Sequence, residues 1–229
     1  MVTSAPSIGE QIASDGFARV ENFASSEVVE ALLSSLVTEP LEDRAGTRQL
    51  HQRIPAVSEF LKNDDVKGQI DPLIPAGFVV RSILFDKTTE TNWRVPWHQD
   101  LSICVKERQE VPGFAAWSIK EGVHHVQPPV EILSRMLTVR LHLDDCGEGN
   151  GPLRVIPGSH NYGRISPDEI PNWKNKGPIV NCTVRKGGAV IMKPLLLHSS
   201  WAAKNPNHRR VLHFEFASEP LPRPLEWIS

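Results

Sequence analysis

The sequence lacks the features of an exported, membrane-bound or disulfide-stabilised protein. Its 229 residues include only three cysteines, none in a CxxC spacing, which argues against a disulfide framework and against a zinc ribbon. It has no run of about 18 or more apolar residues, the length that a transmembrane helix needs. The first 16 residues contain neither the basic segment nor the apolar core of a signal peptide. We therefore expect a cytoplasmic protein without a membrane partner.

An excess of charge of either sign is also missing. The formal net charge is -2 and the pI is near 6.5. Such a balance provides no bulk attraction to nucleic acid or to anionic surfaces, so we expect a small-molecule partner and no nucleic-acid partner. No internal repeat or low-complexity tract is visible. The 40% hydrophobic content and the length fit one domain with a sizeable core, but they do not disclose the oligomeric state.

The pattern along the chain divides into a helical N-terminal third and a β-rich remainder. From residue 77, short runs of Val, Ile and Phe alternate with turns, which predicts a sandwich or barrel. We expect a single domain over residues 1–229, with helical support over about 1–75 packed on one sheet and a β core over about 77–218. Helices are predicted at 7–13, from Ser25 or Ser26 onward, 55–61 and 65–73, and a loop at 40–52.

Several β-strands can be predicted from apolar runs and from alternation. The predicted strands are 17–20, 77–86, 97–105, 137–144, 152–157, 179–184, 189–193, 195–200 and 211–217. In residues 137–144, Leu and Val side chains take one face, whereas Thr138, Arg140 and His142 take the other. Residues 122–129, which contain His124 and His125, are predicted as a loop beside the active site.

Two short segments carry candidate metal ligands. In an extended strand, residues i and i+2 share a face, so His98 and Asp100 can converge on one ion. The best third candidate is His198, which lies in another apolar, strand-like run. Two histidines and one carboxylate on one side of a metal form the facial triad of non-haem Fe(II) oxygenases.

Three segments in this order resemble the phytanoyl-CoA dioxygenase family. They are His98-Gln99-Asp100, the turn NGPLRVIPGSH at 150–160, and His198-Ser199-Ser200 with Arg209 eleven residues after His198. An isolated HxD motif is weak, but this ordered set is specific, and the resemblance covers about residues 10–220. It implies a double-stranded β-helix, or jelly roll, with flanking helices. It also implies Fe(II), 2-oxoglutarate and O2 as cofactor and cosubstrates, with hydroxylation of a small molecule and release of succinate and CO2.

The resemblance also implies residues that bind 2-oxoglutarate. Arg209 matches the arginine that binds the far carboxylate of the cosubstrate, and a planar guanidinium suits a carboxylate. Ser200 matches the hydroxyl that assists this arginine, and Thr138 matches a third position that touches the cosubstrate. No catalytic residue beyond the metal centre is predicted.

Candidate substrate-binding residues come from the residues themselves. Arg140 and Arg81 face inward by alternation, and a buried cation in a pocket needs an anion, which can be an acidic substrate or the cosubstrate. Trp117 can shape the mouth of the substrate pocket. The roles of His142, His124 and His125 stay open.

Two alternative functions also fit parts of the pattern. A cupin-type metal enzyme that does not use 2-oxoglutarate would keep the triad without requiring Arg209, and a non-catalytic small-molecule binding protein would keep only the barrel. Related halogenases replace the carboxylate of the triad, so the presence of Asp100 favours hydroxylation. The sequence discloses neither the substrate and its site of oxidation, nor the pathway, nor whether an acyl-CoA is used.

Overall fold

The computed structural model describes residues 5–37 and 46–228. The helices are α1 (Ile8–Asp15), α2 (Ser26–Val37), α3 (Leu50–Arg53), α4 (Pro55–Lys62), α5 (Asp64–Ile70), α6 (Val130–Arg135) and α7 (Ile170–Trp173). The strands are β1 (Phe17–Val20), β2 (Thr47–Arg48), β3 (Phe78–Asp86), β4 (Val95–His98), β5 (Ile103–Val105), β6 (Ala115–Lys120), β7 (Val123–Gln127), β8 (Leu137–His142), β9 (Leu153–Val155), β10 (Val180–Cys182), β11 (Ala189–Met192), β12 (His198–Ser200) and β13 (Arg210–Ala217).

Two antiparallel sheets form the body of the β region. The major sheet has six strands in the order β1-β11-β8-β13-β3-β2, and the minor sheet has four in the order β10-β9-β12-β4. Val190 and Met192 of the major sheet pack against Leu153 and Val155 of the minor sheet. The sheets therefore face each other across a shared apolar layer at one end of the structure.

The N-terminal helices cover the outer face of the major sheet. Leu137, Val139 and Leu141 of β8 lie on that face and pack with helical residues. Phe60 of α4 stacks on Phe214 of β13, with ring centroids 5.8 Å apart. Burial of each such side chain contributes about 1.5–3 kcal/mol. Because a one-residue slip would move these side chains to the wrong face, this layer also fixes which residues of β8 and β13 point between the sheets.

The prediction of one continuous strand over 97–105 is wrong. β4 ends at His98, and the next strand, β5, begins at Ile103. The chain leaves the strand because the Asp100 backbone N–H donates to the carbonyl of Pro194, 2.9 Å away. The strand predicted over 195–200 is likewise confined to its last three residues, β12.

The prediction of a loop over 122–129 is also wrong, because a third sheet forms there. Its three strands run in the order β5-β7-β6, and β6 and β7 form a hairpin that turns at Gly122, where φ is +77°. The flanking glycine and prolines suggested a loop, although Val123 and Val126 favour a strand. Within the loop predicted at 40–52, residues 40–45 lie outside the described residues, and 46–52 contain β2 and the start of α3.

None of the described helices is both long enough and apolar enough to cross a lipid bilayer.

Candidate active site

The two histidines predicted as metal ligands face each other across paired strands. His98 ends β4 and His198 begins β12, and the antiparallel register places their Cα atoms opposite each other. Their ring centroids are 4.2 Å apart. The minor sheet thus makes neighbours of two residues that lie 100 positions apart in the sequence.

Backbone carbonyls fix the orientation of both imidazoles. The Nδ1 atoms of His98 and His198 each lie 2.9 Å from the carbonyl oxygen two residues earlier, that of Pro96 and Leu196 respectively. Because a carbonyl oxygen can only accept, each Nδ1 carries a proton and donates it, and each neutral ring keeps a lone pair on Nε2. Both Nε2 atoms lie 3.6 Å from an oxygen of Asp100. The two lone pairs therefore face one carboxylate.

Asp100 reaches the histidines from a loop, not by the period-two geometry of a strand. The preceding residue, Gln99, is buried and anchors this loop. Its side-chain amide donates to the carbonyl of Leu195 at 2.6 Å, and its Oε1 accepts from the backbone N–H of Ile165 at 2.8 Å. Gln99 thereby fixes the short segment that carries both His98 and Asp100.

The pKa shifts of His198 and Asp100 suit metal binding, whereas the shift of His98 favours a competing proton. Burial, together with the adjacent His98, lowers the pKa of His198 to about 3, so this imidazole is neutral at physiological pH. Burial opposes ionisation of Asp100, but His198 and His98 outweigh it and hold the pKa of the carboxyl well below its ordinary value. Burial also opposes charge on His98, and the hydrogen bond and charge of Asp100 outweigh it and raise the pKa of His98.

The chemistry of this donor set fits one first-row metal ion. One ligand atom from each of His98, Asp100 and His198 lies within 4.8 Å of the other two. The Oδ2 atom of Asp100 is buried without a hydrogen-bond partner, and such an atom is costly unless a cation or donor satisfies it. Two imidazoles and a carboxylate are the ligands that non-haem Fe(II) takes in facial sites.

A cavity of about 360 Å³ opens above these residues, and Arg209 and Ser200 line it. Arg209 is buried, its Nη1 donates to the carbonyl of Gly151 at 2.8 Å, and its Nε has no partner. Ser200 accepts a hydrogen bond of 3.1 Å from Nζ of Lys87, a buried residue that the sequence analysis did not identify. Burial and the neighbouring Arg209 lower the pKa of Lys87 to about 7. The arginine beside Arg209, Arg210, points elsewhere and pairs with Asp144.

A buried polar network lies beside the cavity, and Arg81, Arg140 and His213 of this network line it. Arg81 pairs with Glu215, and Glu215 accepts from Nε2 of His213, 3.1 Å away. Nη1 of Arg140 donates to Nδ1 of His213 at 2.8 Å. The sequence analysis found both arginines but identified neither His213 nor Glu215 as part of this network. The alternation of polar and apolar residues along β13 was the signal that could have revealed them.

A second group of potential ligands shares Asp100 with the first, namely Asp100, His213 and Glu215. The tautomer of His213 argues against a second metal ion there. Because arginine can only donate, Nδ1 of His213 must accept from Arg140, and its proton therefore lies on Nε2 and faces Glu215. His213 has no lone pair free for an ion.

Two other sequence-predicted residues, Thr138 and Trp117, do not line the cavity. Thr138 is buried on the inner face of β8, but it is not among the residues that line the cavity, and neither is Trp117. Trp117 lies in β6 beside the guanidinium of Arg108. His142 is buried with both ring nitrogens unpartnered, whereas His125 lines the cavity and contacts Cys104.

Comparisons with known proteins agree with this geometry. The family model for phytanoyl-CoA dioxygenase (PhyH) matches residues 12–211. Similar solved structures include EctD from S. alaskensis with 2-oxoglutarate and 5-hydroxyectoine, at TM-score 0.72 and 19% identity over 94% of this chain and 77% of that one. A second is the α-ketoglutarate-dependent carbocyclase SnoK from nogalamycin biosynthesis, at TM-score 0.69 and 16% identity over 92% of this chain and 82% of that one. A third is AviO1 from Streptomyces viridochromogenes, at TM-score 0.64 and 22% identity over 94% of this chain and 95% of that one. No curated protein matches the chain.

The structural likenesses, all below 25% identity, show the fold and confirm the predicted jelly roll with flanking helices. The family match spans most of the chain and confirms the predicted enzyme class, a 2-oxoglutarate-dependent oxygenase that uses iron. The chain therefore belongs to the phytanoyl-CoA dioxygenase family.

Proposed function

We propose that this oxygenase hydroxylates a small molecule, with His98, Asp100 and His198 as the ligands of Fe(II). The observation that carries the proposal is the cross-strand pair of imidazoles, whose Nε2 atoms both face Asp100 at the base of the cavity. When bound, Fe(II) supplies coordination positions for a 2-oxo acid and for dioxygen. The presence of Asp100 favours hydroxylation over halogenation.

We further propose that Arg209 and Ser200 bind the far carboxylate of 2-oxoglutarate. The unpartnered Nε of Arg209 supplies a charged donor in a buried setting. In its charged form Lys87 can only donate, so Ser200 accepts from it, and the hydroxyl proton of Ser200 is free to point to a carboxylate. Lys87 is thus a positioning residue that makes Ser200 a donor.

Succinate formation tests the proposed function. Purified protein is supplied with Fe(II), 2-oxoglutarate and O2, and succinate is measured for the wild type and for His198→Ala. Loss of a ligand should lower turnover by at least about 100-fold, since even outer partners of metal ligands typically cost 10–100-fold.

His160→Ala is the matched control, because His160 lies outside this cavity and contacts the carbonyl of Ala13. It should retain succinate formation. Equal succinate formation by the wild type and by His198→Ala would contradict the assignment of His198 as an iron ligand.

A further inference from the structure

The cavity has a charge opposite to that of the whole protein. The chain carries a net charge of -2, yet five cationic side chains and one carboxylate, Asp100, line the cavity. The cations are Arg48, Arg81, Lys120, Arg140 and Arg209. A concave site lined by one sign of charge selects ligands of the other sign and accelerates their association.

Internal partners neutralise only part of this charge. Arg81 pairs with Glu215 and Arg48 pairs with Glu121. Under the proposed function, Asp100, the two carboxylates of 2-oxoglutarate and Arg209 together balance one Fe(II). Among the five cations that line the cavity, Arg140 is then the buried one for which the described residues offer no carboxylate partner.

The side chain of Arg140 is built to bind a ligand. It is 7% exposed, and its Nη1 is held by His213 while its Nε has no partner. The fork formed by Nε and Nη2 is the edge to which a carboxylate or a phosphate binds with two parallel hydrogen bonds. The ring of Phe85, whose centroid is 5.5 Å from the Arg140 guanidinium carbon, also limits the positions of the side chain.

The hydrogen-bond chain behind Arg140 keeps its charge in place. His213 accepts from Arg140 and donates to Glu215, and Glu215 is itself held by Arg81. Burial and the neighbouring Arg209 lower the pKa of Arg140 to about 10, so the guanidinium remains charged at physiological pH. A charged, oriented and unneutralised donor lies in the same cavity as the proposed metal ligands.

We propose that the substrate of this oxygenase is an anion whose carboxylate or phosphate group binds Arg140. This inference rests on the proposed function, since it assigns 2-oxoglutarate to Arg209 and the substrate to Arg140, a neighbouring cation in the same cavity. Lys120, at the cavity wall on β6, forms no ion pair with a described residue and adds to the attraction of an anion toward this site.

Binding of simple anions tests the proposal without knowledge of the natural substrate. Protein loaded anaerobically with Fe(II) and 2-oxoglutarate is titrated by calorimetry with benzoate, phenyl phosphate and the neutral analogue benzamide. We expect benzoate or phenyl phosphate to bind at least about tenfold more tightly than benzamide, and the tighter of the two identifies the anionic group.

Arg140→Gln should remove this preference, and the affinity for the preferred anion should fall by at least about tenfold. Arg140→Lys, which keeps the charge but not the fork, should restore part of it. Arg210→Gln is the matched control, because Arg210 lies on the same sheet and pairs with Asp144 away from the cavity. It should bind the anions as the wild type does.

The outcomes separate this inference from the proposed function. If the wild type fails to bind Fe(II) and 2-oxoglutarate, the proposed function fails and the inference falls with it. If the wild type binds both but shows no preference for an anion over benzamide, only the inference fails. The inference is also overturned if Arg140→Gln weakens the binding of 2-oxoglutarate as much as the binding of the anion, since Arg140 would then bind the cosubstrate.

Discussion

At the scale of single residues, hydrogen bonds decide what each imidazole can do. The carbonyls of Pro96 and Leu196 hold the Nδ1 protons of His98 and His198, which leaves both Nε2 lone pairs for an ion. The two rings nevertheless differ in proton affinity, because the pKa of His198 is lowered to about 3 whereas that of His98 is raised above its ordinary value. Of these two histidines, His98 is therefore the one that takes up a proton at mildly acidic pH.

This difference predicts how iron affinity depends on pH. A proton on His98 competes with the metal, so the affinity for Fe(II) should fall about tenfold per pH unit once the pH drops below the raised pKa of His98. His198 should add no second proton until far lower pH. Anaerobic titration of Fe(II) between pH 5 and pH 8 measures the slope. A slope of two protons, or none, would contradict the assigned ligand states.

Arg209 and Arg210 form a natural pair for testing the cosubstrate site. Arg209→Gln should raise the dissociation constant of 2-oxoglutarate by at least about tenfold, because a buried charge-assisted donor is lost. Arg210→Gln should leave it near the wild-type value, since that side chain pairs with Asp144. Calorimetry with Fe(II)-loaded protein provides the constants. Equal effects in the two variants would place the binding group elsewhere.

Sequence reasoning identified those residues whose type is uncommon in their setting. A His-x-Asp segment, a distant His and an Arg eleven residues later stand out in an apolar, strand-rich region. Lys87 did not stand out, because nothing in the linear sequence shows that this lysine is buried. His213 was missed although it alternates with apolar residues along β13. Whether Arg81 and Arg140 bind a ligand stays a prediction, although both line the cavity.

At the scale of elements, the loops after the strands determine the geometry of the site. The alternation along β8 was read correctly from the sequence, since Leu137, Val139 and Leu141 face the helices. The segment after His98 was predicted wrongly as a strand, because its conformation is set by hydrogen bonds of the Gln99 side chain to Ile165 and Leu195, residues 60 to 100 positions away. Local pattern predicts strands well and long-range hydrogen bonds poorly.

Gly151 is the loop residue that positions Arg209, the residue proposed to bind 2-oxoglutarate. Its φ is +59°, a Cβ there would lie 2.4 Å from the carbonyl of Trp201, and its own carbonyl accepts from Arg209. Gly151→Ala should therefore destabilise the protein by about 1–3 kcal/mol and also weaken 2-oxoglutarate binding. Urea unfolding and calorimetry measure the two effects.

Gly122→Ala separates steric clash from backbone strain. Gly122 also has a positive φ, of +77°, but a Cβ there meets nothing within 4 Å. This variant should carry only the strain and should leave 2-oxoglutarate affinity unchanged. If both variants lose the same stability and bind the cosubstrate equally well, the proposed role of Gly151 is wrong.

At the scale of the whole molecule, the metal should link two strands of the minor sheet. The proposed ligands come from β4 with its following loop and from β12, so an ion bound by all three favours the folded state. At 100 times its dissociation constant, a ligand stabilises by about 2.7 kcal/mol. For a chain of this size, that corresponds to a rise in Tm of roughly 5–10 °C.

Thermal unfolding with Mn(II), a redox-stable substitute for Fe(II), measures this shift, and a chelator should reverse it. His198→Ala should show little or no shift, whereas His160→Ala should keep it. An undiminished shift in His198→Ala would mean that the ion binds at another place.

The architecture also separates the residues proposed to bind the metal from residues that can select the substrate. The two proposed histidine ligands lie on the minor sheet and Asp100 lies in the loop after β4, whereas Arg48, Lys120 and His125 reach the cavity from β2 and from the separate sheet β5-β7-β6. Changes in that small sheet can reshape the mouth without disturbing the carbonyls that orient the imidazoles. A scaffold divided in this way can acquire new substrates during evolution while it conserves one reactive centre.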